Sequence, residues 1–192
     1  MIDAVLDRKK VDLKVKITVK TAVSVAVVAL AVILPQIVHM TLGANGGAQW
    51  LPMYLPILLG GCLLGWKWGL CVGILSPIAS FLITLAFGNP MPAAARLPYM
   101  IVELAVFASV SGMFSEKIAE RAWMAFPAVW TAAVLGRCVF LASAAIFQSV
   151  SPLSVYMAWT QVQTGLIGLS LQAVLVPVLV MALSAAIARE RK

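Results

Sequence analysis

Two ionisable side chains, Glu103 and Arg137, lie inside long apolar segments of this sequence and are its best candidates for chemistry. A charge within an apolar span is costly, and such groups pair with one another, line a pathway or organise a site. Glu103 sits a short way into the apolar run that opens at Tyr99. On a helix, Arg96, Tyr99 and Glu103 share one face. Arg137 lies near the middle of a later run, with Leu141 and Gln148 recurring toward the same end. Its guanidinium suits bidentate binding of a solute carboxylate or phosphate, or pairing with Glu103. At about 1.5 Å rise per residue the two charges differ in depth by roughly 10 Å. Pairing and ligand contact both stay open.

Amides and aromatics gather at the ends of the same runs: Gln49, Trp50 and Tyr54, then Asn89, then Tyr156, Trp159 and Gln163 on one helical face. Singly, each Trp or Tyr reads as part of an interfacial aromatic belt. As a set with the two charges, they suit a small-molecule pocket. His39 is the only histidine and reads as a loop residue, while Cys62, Cys71 and Cys138 read as inert apolar thiols. There is no Walker A motif, metal-ligand pair, Ser/His/Asp set or GxSxG. The reading is therefore of a binding protein without cofactor or metal, not an enzyme.

The elements that must carry these residues follow from composition. Of 192 residues, 62% are hydrophobic and 11% charged, against roughly 25% charged in soluble domains. The bilayer has to serve as solvent. Long apolar runs without period-2 alternation exclude a barrel, and spans of about 20 residues predict an all-α integral membrane protein of six transmembrane helices. Residues 1–192 make one membrane domain, with 1–15 an amphipathic cytoplasmic segment. The spans are expected near 17–38, 51–64, 70–87, 99–114, 123–147 and 155–188. Span 2 is short and holds Pro52 and Pro56, so it is tilted, broken or re-entrant.

Charge sets the orientation. Arg8, Lys9, Lys10, Lys14, Lys16, Lys20, Lys67, Lys117, Arg121, Arg189, Arg191 and Lys192 fall on one side, against Arg96 on the other. The positive-inside rule places both termini in the cytoplasm and the loops 39–50, 88–98 and 148–154 outside. The net charge of +7 is thus a membrane feature rather than a nucleic-acid footprint. Small residues mark close helix contacts: Ala22 and Ala26 on span 1, and Gly61, Gly65, Gly69 and Gly73 at four-residue steps. The glycines read as internal packing; the Ala pair suits either internal packing or another subunit.

Three segments in order, Leu51-Pro-Met-Tyr-Leu-Pro-Ile-Leu-Leu-Gly-Gly, Gly69-Leu-Cys-Val-Gly-Ile-Leu-Ser-Pro and Pro98-Tyr-Met-Ile-Val-Glu-Leu-Ala, resemble the substrate-binding S-component of energy-coupling factor (ECF) vitamin transporters. The resemblance is closest over residues 50–115, and the Ala22-x-x-x-Ala26 pair extends it. It implies a six-helix protein of the bacterial or archaeal cytoplasmic membrane. Such a protein captures a vitamin or precursor at the outer face and delivers it inward with a membrane T-component and two cytoplasmic ATPases. It further implies that Ala22 and Ala26 contact the T-component, that 39–50 is a lid, and that Glu103 sits by the pocket. One departure is Tyr54, where relatives commonly carry His. The alternative is a standalone secondary transporter or channel with Glu103 and Arg137 as ion sites. The aromatics favour a small aromatic ligand, whereas Arg137 favours a carboxylate.

Overall fold

The computed structural model describes residues 1–8, 11–88, 90–147 and 154–189, and these are helical with short breaks and no strand. The helices are α1 (Ile2–Arg8), α2 (Leu13–Trp50), α3 (Tyr54–Leu64), α4 (Trp66–Ala86), α5 (Leu97–Met113), α6 (Ser115–Glu120), α7 (Ala125–Phe147) and α8 (Val155–Arg189). Six segments of the described chain are long and apolar enough to cross a membrane. The expected all-helical, six-span class stands.

Several boundaries differ from expectation. Residues 39–50 are not a loop. The Thr41 hydroxyl donates to Ile37 O at 2.9 Å, and the helix carries on until Gly43, at φ 70° and ψ −172°, kinks it. That backbone conformation is open to glycine and strained for other residues. Helix then resumes to Trp50, because backbone at this depth must satisfy its own hydrogen bonds. Span 1 begins at Leu13 rather than near Ile17, because Asp12 Oδ1 accepts from Leu13 N at 2.7 Å and caps the helix. The expected turn 65–69 shrinks to Gly65, at φ 87°. The charged turn 115–121 is mostly the short helix α6. Of the expected loop 148–154, residues 148–153 lie outside the described residues.

Span 2 is broken. It runs from Gly46 to Leu64, with Leu51 in the left-handed region at φ 49° and Pro52 and Met53 forming a turn. Pro56 falls in the first turn of α3, where a missing N–H costs nothing. At the break Leu51 O accepts from Tyr54 N at 3.0 Å, and α8 adds further donors. Gln172 Nε2 donates to Trp50 O at 2.9 Å and to Leu51 O at 2.8 Å. Gly168 permits this approach, since a Cβ there would lie 2.5 Å from Gln49 O.

Helix α5 is central, packing against α3, α4 and α7. Glycines let the backbones meet. A Cβ on Gly61 or Gly69 would lie 2.5 or 2.7 Å from Ala108 O, and one on Gly73 would lie 2.6 Å from Leu104 O. By contrast α2 is peripheral: only 11% of its spanning window is buried, and Ala22, Val25, Ala26, Ala29 and Ile33 are exposed. The segment expected to be amphipathic forms α1, which folds back onto α2 through Asp3–Lys20 at 2.5 Å and Asp7–Lys16. With α6 and the Gly65 turn it makes a basic end of the bundle, where Lys20 Nζ lies 5.9 Å from the Trp68 ring. The opposite end carries the Gly43 kink, the Leu51 break and the segment Pro90–Arg96.

Candidate functional site

Three helices bring together one polar chain inside the bundle. Tyr54 on α3 donates its hydroxyl to Glu103 Oε2 on α5 at 2.5 Å, and Arg137 Nη1 on α7 donates to Glu103 Oε1 at 2.8 Å. The three side chains are 2%, 0% and 7% exposed, so each carboxylate oxygen has a donor where water cannot supply one. The sequence left pairing and ligand contact as alternatives for Glu103 and Arg137; here they pair, and the long Arg side chain closes the depth difference. The Arg137 guanidinium carbon also lies 5.3 Å from the Tyr54 ring, which meets Phe107 edge-on at 5.2 Å and 85°. Gly136 makes room for Phe107, and Gly165 for Leu51 and Arg137 Nη2.

Beside this chain, at the end away from the basic turns, is a cavity of about 300 Å³. Pro35, His39, Gly47 and Ala48 of α2 form one wall, and Leu51, Pro52 and Met53 of the break another. Tyr54, Ser80, Met100 and Gln161 contribute from α3, α4, α5 and α8, and Pro90 to Ala93 with Arg96 close the rim. Local chemistry fixes each wall. The Gly43 kink folds Gly47 back onto His39, so that a Cβ on Gly47 would lie 2.3 Å from His39 Nε2. The rim is pinned to α4, where Met91 N donates to Thr84 Oγ1 at 2.7 Å and Ser80 Oγ donates to Met91 O at 2.8 Å.

The residues named from sequence divide. Tyr54 lines the cavity with its hydroxyl committed to Glu103, so it presents a ring rather than a free donor. Glu103 and Arg137 stand behind Tyr54 and hold it, and neither lines the cavity. Tyr99 packs with Phe140, Ala144, Ala158 and Val162. Gln49 and Trp50 are half-buried at the end of α2 and do not line the cavity. Trp159 and Gln163 are exposed on α8, on a face shared with the 78%-exposed Tyr156, and are not cavity residues. Asn89 lies outside the described residues. Ala22 and Ala26 are exposed on α2.

His39, Ser80, Arg96 and Gln161 line the cavity and were not among the substrate-binding residues expected from sequence. Arg96 had a signal, being the sole cation on its side of the charge asymmetry. Gln161 and Gln163 differ by two positions, about 200° around a helix, so composition alone cannot choose between their faces. His39 and Pro35 are one turn apart, and Gly47 reaches them only through the kink.

Six apolar helices, five of which line a solute-sized cavity at one end, mark a multi-pass membrane protein. A family model described as the substrate-specific component of ECF transporters matches residues 19–180, and the chain belongs to that family. Its class is thus a transport substrate-binding component of a prokaryotic cell membrane, not an enzyme. Comparisons with curated proteins and with solved structures found no match.

Proposed function

We propose that this chain captures a vitamin or vitamin precursor in the cavity beside Tyr54 and passes it inward as the substrate-binding subunit of an ECF-type importer. The observation that carries the reading is the cavity itself. It is walled by five of the six spans and lies at the end opposite the basic turns, which the charge asymmetry assigns to the outside. Its volume of about 300 Å³ is at the low end for small-molecule sites, and prolines, Met53, Met91, Met100 and the Tyr54 ring offer flat or adaptable apolar contact. A compact one- or two-ring solute suits it. Tyr54 contacts the solute, and Glu103 and Arg137 position Tyr54.

A membrane T-component and two ATPases supply the energy in this reading. The exposed Ala22/Ala26 face of the least buried spanning helix supports docking there. The reading as a standalone ion-coupled carrier finds less support in the geometry, since Glu103 is already neutralised by Arg137 and each of its oxygens accepts from a protein donor. Mass spectrometry of small molecules co-purifying with the protein, followed by thermal-shift assays against a B-vitamin panel, tests the capture step. Uptake in proteoliposomes should require co-reconstituted T-component and ATPases; robust uptake by this chain alone would overturn the coupling.

A further inference from the structure

The charge around the cavity is one-sided. The chain has 7 acidic residues. Asp3, Asp7 and Asp12 lie in α1 and at the start of α2, and Glu116 and Glu120 lie in α6, all at the basic end. Glu190 follows the far end of α8 in the sequence. Among the described residues only Glu103 is on the cavity side, and Arg137 neutralises it. No acidic side chain among the described residues lines the cavity, and Asn89 and residues 148–153, which are not described, contain no Asp or Glu. Arg96 does line it, is exposed, and makes no ion pair among the described residues.

A second polar feature lies elsewhere in the same cavity. Gln161, from α8, lines it with its Oε1 buried and without a hydrogen-bond partner. A buried acceptor left in this state costs free energy until a donor reaches it. The remaining walls are mainly Pro, Met, Leu and Ala.

We propose that the cavity selects a small organic monoanion, its carboxylate held by Arg96 and an N–H or O–H of the same molecule donated to Gln161. This rests on the solute-capture reading above and adds the substrate's charge. One unpaired guanidinium matches one negative charge, and its forked donors match a carboxylate. When the cavity is occupied, Arg96 loses water, and an anion compensates it where a neutral solute does not. A cationic solute meets a like charge at the rim, which costs affinity.

The test uses the purified full chain in detergent and matched probes. Biotin, nicotinate and pantothenate serve as acids, biotinamide, nicotinamide and pantothenyl alcohol as neutral counterparts, and thiamine and pyridoxamine as cations. At least one acid should bind about 10- to 100-fold more tightly than its neutral counterpart, the range of a charge-assisted hydrogen bond. Arg96→Gln should erase that preference, and Arg96→Lys should keep part of it. Neutral or cationic probes binding as tightly as the acids, or an Arg96→Gln protein that keeps the preference, would overturn the anion proposal while solute capture stands. No binding by any probe, with nothing co-purifying, would overturn capture and the anion proposal together.

Discussion

Glu103 is worth most to this protein through what it holds. Its carboxylate ties α3 to α7 by way of Tyr54 and Arg137, and each partner is buried enough that losing one strands the others. Breaking a buried pair from one side costs about 3–5 kcal/mol because a lone charge remains. Glu103→Gln and Arg137→Met should each lower the unfolding midpoint in detergent sharply. The double variant should recover much of the loss. Strict additivity in that cycle would show that the pair does not act as a unit. Tyr54 offers a sharper separation. Tyr54→Phe keeps the ring against the cavity and removes the donor to Glu103, so ligand affinity should change little while stability falls by about 1–2 kcal/mol. An unchanged stability with lost binding would instead mean that the hydroxyl serves the ligand.

At the scale of elements, glycine positions decide how helices meet and bend. Gly73→Ala drives a methyl against the α5 backbone at Leu104, where nothing flexible can give way. It should cost about 1–3 kcal/mol or more by overpacking, read as a lower thermal midpoint. Gly43→Ala has open space around its Cβ, so its cost is conformational. The strain of about 1–3 kcal/mol should straighten α2, pull Gly47 and Ala48 from the cavity wall and weaken ligand binding. Cysteine cross-linking or spin-label distances between α2 and α8 would detect the shift; unaltered distances would remove the kink from any role in shaping the site. Gln172 belongs at this scale too, because it ties α8 to the Trp50 and Leu51 carbonyls at the break.

For the whole molecule, the two ends and one flank have separate tasks in the proposed cycle. The cavity end takes the solute, and the α2 flank, apolar and little buried, faces lipid or a partner. Ala22→Trp and Ala26→Trp should leave ligand binding by the isolated protein unchanged, since neither residue lines the cavity. Both should abolish uptake in vesicles containing the T-component and ATPases, because a bulky ring replaces a close-contact surface. Transport at the unsubstituted rate in both variants would move the docking surface off this face. The six-span class was legible beforehand, because hydropathy over a span is a local sum that neighbours do not alter. Boundaries were less so: residues 39–50 have loop composition, yet fold as kinked helix because the apolar surroundings leave the backbone no other hydrogen-bond partners.

Sequence alone determined that this chain lives in a bilayer, that it has six spans, and that Glu103 and Arg137 are its buried charges, all properties of single residues or contiguous runs. It also held the motif order that placed the chain in its family. Tertiary structure alone decided that the two charges neutralise one another, that Tyr54 lines the cavity with its hydroxyl turned away, and that Gln161 lines the cavity while Gln163 is exposed. Those outcomes depend on helix rotation and on a kink at Gly43, each set by packing between segments far apart in the chain. Turning a helix by one residue, about 100°, moves a side chain from lipid to cavity, and no local pattern encodes that rotation.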